Sequence, residues 1–326
     1  MVKRARISPP ARRNKIRTEP NSGPEFVTLG AVAAPMPRFI PPQLATLRPM
    51  PPAGAGWIHE IKFDGYRAQA HISADGTRVF TRSGLDWTKR FPTIAAELAG
   101  AGIDQAVIDG EIVVIVDSRT DFSALQADLS AGRHDRMLFY AFDLMHLDGH
   151  DLRKVPLRER KRLLQKLIER TGLGPSIIYS EHMDDGATMF AGAERLNWEG
   201  IVSKRADAPY RSGERSDSWQ KIKTSKRETF HIVGFVPAMG GIAALHVARR
   251  EGEKLTYVGK VGTGFTMKVS TDLRRRLDAL PAPKQKLVAK RHIKAVEPRL
   301  VAKVEYRDIT ADGYLRHPSF KGLAED

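Results

Sequence analysis

Two strand-period runs flank a four-residue bend early in the chain. Trp57, Ile58 and Ile61 lead in. Tyr66, Ala68, Ala70 and Ile72 lead out, alternating with Arg67, Gln69 and His71. That alternation is the side-chain period of a half-buried strand. Between the runs lies Lys62-Phe63-Asp64-Gly65, in which Asp-Gly predicts a tight turn. A lysine is therefore expected at the mouth of a sheet, with the carboxylate of Glu60 before it and Arg67 after it. Such a lysine is either an ordinary surface residue or a nucleophile whose surroundings supply a neutral amine. The stretch alone leaves both readings open.

On either side the chain changes character. Residues 1–37 mix Lys3, Arg4, Arg6, Arg12, Arg13, Lys15 and Arg17 with six prolines, among them Pro9, Pro10, Pro20 and Pro24. This basic, Pro-rich tail is expected to stay disordered, because it cannot offset its ordering entropy. Its functional reading is a basic arm that touches phosphates. Residues 38–224 read as one domain. Phe91 to Leu98 predicts a helix capped by Thr93. Ala106 to Val116 predicts a strand pair, or one long strand interrupted by an Asp109-Gly110 turn. Leu157 to Arg170 predicts a helix with Leu163, Leu164, Leu167 and Ile168 on one face and charges on the other. Thr224, Ser225, Lys226 and Arg227 form a polar, basic link. Residues 225–326 then carry short strands separated by Gly-rich turns, plus one helix from Thr271 to Leu280. That pattern suggests a small barrel such as an OB-fold.

With 326 residues, two domains are expected, and 41% hydrophobic content suffices for their cores. The formal net charge of +15 favours a polyanionic partner. Nucleic acid is the first choice and an anionic membrane surface the rival. No run approaches the roughly 18 apolar residues of a membrane-spanning helix. Cysteine is absent, which rules out disulfides, cysteine zinc sites and a cysteine nucleophile and fits the cytosol. The N-terminal basic residues precede prolines rather than an apolar core, against a secretory signal.

Further fragments could carry chemistry. Arg82-Ser83-Gly84 follows a strand and is a common loop sequence. Asp109-Gly110-Glu111 places Glu111 where it could meet a ribose or a metal ion. Phe142 lies within a strand, as core or as a stacking platform. Glu199 precedes Gly200-Ile201-Val202-Ser203-Lys204, and two separated carboxylates, Glu111 and Glu199, could share magnesium. Lys221 and Lys223 fall on one face of a strand, since side chains alternate. An anion such as a triphosphate would relieve their repulsion; a solvated basic face is the alternative.

Lys62-x-Asp64-Gly65-x-Arg67 resembles the nucleotide-accepting lysine motif of ATP-dependent DNA ligases and mRNA capping enzymes. The whole ordered set resembles the nucleotidyltransferase motifs of the ligases. Three phrases, Trp57 to Arg67, Arg82 to Thr88 and Leu315 to Leu323, look like the ligase domain of bacterial end-joining ligases, and the likeness runs from about residue 39 to the C-terminus. It implies an α+β fold: a nucleotidyltransferase (ATP-grasp-like) domain with antiparallel sheets, plus a C-terminal OB-fold β-barrel. It implies a stand-alone, monomeric ATP-dependent DNA ligase that forms a lysyl-AMP at Lys62. By the same resemblance Glu60 would recognise adenine and Phe142 would stack on it. Arg67 and Arg82 would hold ribose or phosphate, and Glu111 would meet the ribose. Glu111 and Glu199 would bind Mg2+ or Mn2+. Arg215, Lys221 and Lys223 would contact phosphate, and Arg316 with Lys321 would orient pyrophosphate. ATP is the implied cofactor. The implied partners are nicked or broken duplex DNA and a Ku-like DNA-end-binding protein, in the cytoplasm at the nucleoid and away from membranes. Arg274, Arg275, Arg276, Lys284, Lys286, Lys290, Arg291 and Lys294 are expected to face DNA phosphates, with the Thr224 to Arg227 link as a hinge.

A capping-type guanylyltransferase shares the lysine turn and remains an alternative. So does a non-catalytic OB-fold nucleic-acid-binding protein, although it has no use for ordered residues at strand mouths. An NAD-dependent ligase is disfavoured by the missing cysteines, and no Gly-x-x-x-x-Gly-Lys-Ser/Thr phosphate loop occurs.

Overall fold

The structure is a computed structural model that describes residues 23–288, 292–310 and 312–324. It divides along the chain into two units, the first ending at Lys223 and the second starting at Thr224.

The first unit is built on two sheets. One has seven strands, in the order Val32–Ala33, His150–Asp151, Leu138–Leu147, Ala106–Val113, Tyr66–Ser73 and Gly76–Thr81, with Ile177–Tyr179 added parallel to Leu138–Leu147. The other has five, in the order His182–Met183, Trp57–Ile61, Gly200–Arg205, Arg215–Lys223 and Leu44–Leu47. Neighbours in both are antiparallel, except for that added strand and for Leu44–Leu47 beside Arg215–Lys223. The main core packs one face of the larger sheet, through Ala68, Ala70, Ile108 and Leu144, against Ile94 and Leu98 of the Pro92–Gly100 helix and Leu164 and Leu167 of the Leu157–Thr171 helix.

The two runs around Lys62 are strands, Trp57–Ile61 and Tyr66–Ser73, yet they do not pair with each other. Each belongs to a different sheet. Lys62 to Gly65 is thus the crossing from one sheet to the other, not the tip of a hairpin. The crossing is close: a Cβ on Gly65 would abut the carbonyl of Ile112 and stand 2.8 Å from Val113 Cγ1. The Asp-Gly signal misleads again at Asp109-Gly110, which lies inside the continuous strand Ala106–Val113 and makes no turn. There the neighbouring strand demands glycine, because a Cβ would run into the Phe139 ring and stand 2.6 Å from the Tyr140 carbonyl oxygen. A register shift opposite Asp109 and Gly110 marks the same place.

Other readings need correction. Residues 1–22 of the basic tail lie outside the described residues. From residue 23 the tail is ordered: Gly23–Thr28 is helical, Phe26 is buried in the main core against His150, and Val32–Ala33 joins the larger sheet. The helix expected at Phe91 starts at Pro92, with Phe91 rather than Thr93 at the cap and proline at its first turn, where a missing N–H costs nothing. The Leu157–Thr171 helix forms as expected, but its charges are not all on the outer face, since Arg160 and Lys161 are buried. Of the expected basic link, Lys226 and Arg227 belong to a strand, and only Thr224 and Ser225 stand between Arg215–Lys223 and Lys226–Ala238.

The second unit is a mostly antiparallel sheet in the order Lys254–Val261, Gly241–Glu251, Lys226–Ala238, Val301–Tyr306 and Ser319–Leu323, with Lys294–Ala295 also pairing Lys226–Ala238. Leu273 and Leu277 of the Met267–Asp278 helix pack on its core with Phe230, Phe235 and Val304. Thr266 caps that helix by accepting from Val269 N at 3.2 Å. The barrel expected here is not closed: among the described residues the two outer strands do not pair. One backbone bond, Phe320 N to Thr263 O at 2.9 Å, links the last strand to the loop after Lys254–Val261.

Candidate active site

The first unit holds a cavity of about 670 Å³ that lies against both sheets. Glu60, Lys62, Arg67, Arg82, Glu111, Phe142, Arg215 and Lys221 all line it, with Lys204 and Trp219. Residues distant in sequence meet there because the crossing segment, the Ala106–Val113 strand and the Gly200–Arg205 and Arg215–Lys223 strands all open on the same space.

Lys62 stands on the crossing with its side chain 20% exposed. Its backbone N donates to Gly200 O at 2.9 Å, which ties it to the second sheet. Its Nζ donates to Glu199 Oε2, and Lys223 Nζ lies 3.7 Å from Glu199 Oε1. The Glu199 carboxylate therefore sits between two ammonium groups. Lys221 makes no ion pair among the described residues. Burial, with Arg215, Lys223, Lys62 and Arg82 adding to it, lowers its ammonium below the usual range. Four cations thus bear on Lys221, and an anion entering the cavity beside it would relieve them.

Arg67 is less free than expected. Its Nε and Nη2 grip Asp109 at 3.1 and 2.7 Å, and its Nη1 donates to Gln43 O at 2.6 Å. Tyr210 completes the cluster by donating to Asp109 Oδ2 at 2.7 Å and accepting from Gln43 N at 3.0 Å. Arg67 serves first as a clamp between the strands on the cavity wall, and its guanidinium also lies 5.4 Å from the Phe142 ring and 5.3 Å from the Trp219 ring.

Glu60 lines the cavity, but both its oxygens have partners: Lys161 at 2.8 Å and Lys204 at 2.7 Å. Burial alone would raise its pKa, and the two lysines outweigh burial and lower it. Phe142 is buried, edge-on to Trp219 at 6.1 Å, with Lys204 Nζ 4.3 Å from its ring. Glu111 is pushed up to about 8, chiefly by burial, against the pull of Arg67 and Lys62. Among the described residues no three His, Asp or Glu side chains are grouped to hold a metal alone. Two carboxylates, one short of charge compensation, nonetheless suit a magnesium or manganese ion that takes its other ligands from phosphate and water.

The remaining residues belong to the second unit. Arg316 belongs to the second unit, on Leu315–Arg316 beside Asp308–Ile309, and Lys321 there pairs with Glu305 at 3.1 Å. Of the expected DNA-facing cluster, Arg274 and Lys294 share Asp278, and Arg275 and Arg276 share Asp272. Lys290 and Arg291 lie outside the described residues.

Three participants escaped the sequence reading: Lys161, Tyr210 and Gln43. Lys161 carried a signal. Leu157, Arg160, Lys161 and Leu164 occupy i, i+3, i+4 and i+7, so both cations fall on the apolar stripe. Gln43 and Tyr210 carried none, being single polar residues in irregular segments.

Residues 45–223 match the family described as ATP dependent DNA ligase domain, and residues 238–326 match the ATP dependent DNA ligase C terminal region. The chain is 38% identical over 305 residues to the multifunctional non-homologous end joining protein LigD of Pseudomonas aeruginosa, covering 90% of this chain and 36% of that protein. It thus spans about a third of the length of that relative. Its fold resembles the crystal structure of the ligase domain from M. tuberculosis LigD, with TM-score 0.55, 32% identity and coverage of 87% of this chain and 95% of that one. It also resembles a mycobacterial DNA ligase D complexed with ATP and MES, with TM-score 0.54, 31% identity and coverage of 88% and 95%.

Proposed function

We propose that this chain, which belongs to the ATP-dependent DNA ligase family, seals nicks or joins ends in duplex DNA through a covalent adenylate on Lys62. The observation that carries the reading is the convergence of eight expected nucleotide-handling residues on one cavity, with Lys62 at the crossing between sheets. The Lys62 amine attacks the α-phosphorus of ATP, an N–P bond forms, and the bond to pyrophosphate breaks. AMP then passes to the 5′-phosphate at the break. The 3′-hydroxyl displaces AMP and closes the backbone. A lysine adduct suits this relay, since protonation of its nitrogen restores a good leaving group.

The residues divide the work by position. Lys221, Arg215 and Arg82 stabilise charge on the transferring phosphoryl group. Glu199 holds the Lys62 amine in place, and Glu111 meets the ribose. Glu60 and Phe142 define the base end of the cavity. Glu111 and Glu199 would hold a divalent ion, which would supply further charge stabilisation when bound. Arg316 and Lys321 are assigned to the pyrophosphate end, and the second unit is read as an OB-type domain whose cations meet DNA phosphates. The end-joining relatives support a role in repair; a Ku-like partner and a place in the cytoplasm at the nucleoid complete the proposed reading. Among the described residues no helix is long and apolar enough to cross a membrane.

The test is direct. With α-labelled ATP and magnesium or manganese, label transfers to the chain, and Lys62→Ala abolishes it. Label from GTP in preference to ATP would favour a capping-type enzyme. Label undiminished in Lys62→Ala would overturn the assignment. Sealing of a nicked duplex by the labelled protein tests the later steps.

A further inference from the structure

The Leu157–Thr171 helix sends two neighbouring cations inward. The side chains of Arg160 and Lys161 are 0% and 1% exposed. Arg160 clasps Asp143, the residue after Phe142, through Nε at 2.7 Å and Nη2 at 2.9 Å. Lys161 Nζ lies 2.8 Å from Glu60 Oε1, donates to Ser180 O at 2.9 Å and sits 4.4 Å from the Tyr179 ring. Lys204 takes the other oxygen of Glu60, and its Nζ is 4.3 Å from both the Phe142 and Trp219 rings. Three buried cations thus face two buried carboxylates. One ammonium would neutralise Glu60; a second must be desolvated with no further charge to cancel. Such an arrangement is costly for stability alone, so the two lysines must differ in what they do.

Their positions separate them. Glu60 and Lys204 line the cavity, whereas Lys161 does not. We propose that Lys161 is a positioning residue for base selection, anchoring Glu60 from behind the cavity wall so that an ionised carboxylate edge, shared with Lys204, is presented to the bound purine. The proposal rests on the reading of this cavity as the ATP site. An ionised carboxylate only accepts hydrogen bonds. It therefore favours a purine with an amino group at the facing position and opposes one with an oxygen there, whose lone pairs would confront it. Lys161 fixes how the carboxylate is turned: tethered to Ser180 O, its Nζ stays 2.8 Å from Glu60 Oε1, which accepts no aligned hydrogen bond among the described residues, while Oε2 takes Lys204 Nζ at 2.7 Å and the Ser180 hydroxyl at 3.3 Å.

The experiment compares label transfer from ATP and from GTP to the whole chain, for the unaltered protein, Lys161→Met and Lys161→Arg. In Lys161→Met the half-saturating ATP concentration should rise about tenfold with little change in the maximal labelling rate, and the preference for ATP over GTP should fall about tenfold. Lys161→Arg keeps a cation behind Glu60 and should retain most of that preference. A purely structural role would lower the amount of active protein and leave the preference intact. If Lys161→Met fails to fold, Lys161→Gln, which keeps a donor for Ser180 without the charge, carries the same expectation. An unchanged ATP-over-GTP preference in a folded neutral variant overturns the role of Lys161 alone. No label from ATP on the unaltered protein overturns the ATP-site reading and this one with it.

Discussion

Lys62 and Glu199 are ion-paired across 137 residues of chain. The pair joins the crossing segment that leaves Trp57–Ile61 to the residue just before Gly200–Arg205, the neighbouring strand of the same five-stranded sheet. A nucleophilic amine needs a fixed approach to phosphorus, and Glu199, 4% exposed, is rigid enough to set it. Glu199→Ala should leave the fold intact, because Lys62 can reach solvent, while labelling by ATP falls about a hundredfold or more. Single-turnover labelling at saturating ATP checks this. Retention of the unaltered rate would make Glu199 a bystander.

Arg67 and Asp109 predict the opposite pattern, a loss of stability first. Asp109 is fully buried, and its two oxygens are held by the fork of Arg67 and by Tyr210. Removing one partner strands the other charge, which costs about 3–5 kcal/mol. Arg67→Ala and Asp109→Ala should each lower the urea midpoint sharply, and the double variant should cost much less than their sum. Arg67→Lys should rescue little, since an ammonium cannot reproduce the bidentate grip. Additive effects would mean that the pair is not coupled.

The order of chemistry-bearing residues was legible in the sequence because each is local: a residue type at a fixed offset within a strand or bend. What joins them was not. Alternation identifies Trp57–Ile61 and Tyr66–Ser73 as strands but is silent on the partner of each, so a crossing between sheets reads like a hairpin. Asp109-Gly110 reads like a turn because the demand for glycine comes from Phe139 on another strand, 29 residues later in the chain. Phe26 escaped because one aromatic in a proline-rich stretch has no period, and its packing against His150 is long-range. Arg160 and Lys161 were legible in principle, but charge on an apolar stripe becomes meaningful only when Asp143 and Glu60 are seen opposite.

His71 sets an acid limit on the first unit. It lies in the larger sheet, and burial, with His146 and Arg78 adding to it, lowers it to about 4 from the ordinary 6.5. A histidine depressed in the folded state binds its proton more readily when unfolded. Its contribution to stability is therefore complete above about pH 6.5 and is lost as pH falls from there toward 4. The loss is on the order of 3 kcal/mol across that window. Urea unfolding of unaltered protein and His71→Gln, followed between pH 7.5 and pH 4.5, should show the variant falling less steeply. Parallel curves would rule the residue out.

Glu111 works in the other direction and links pH to the metal. Its carboxyl is pushed up to about 8, so the folded protein binds a proton there that the unfolded chain, near the ordinary 4.5, has released. Stability from this group is complete below about pH 4.5 and is lost as pH rises through 8. A divalent cation beside Glu111 would favour the ionised form, and its binding should expel that proton. Titrating magnesium or manganese into the protein with ATP at pH 7 should therefore give a heat that varies with the ionisation enthalpy of the buffer. It should also raise the melting temperature more at pH 8 than at pH 6. Glu111→Gln should melt higher than the unaltered protein at pH 8 without metal, and should lose both the buffer-dependent heat and the pH-dependent gain. A variant that keeps them would move the metal away from Glu111.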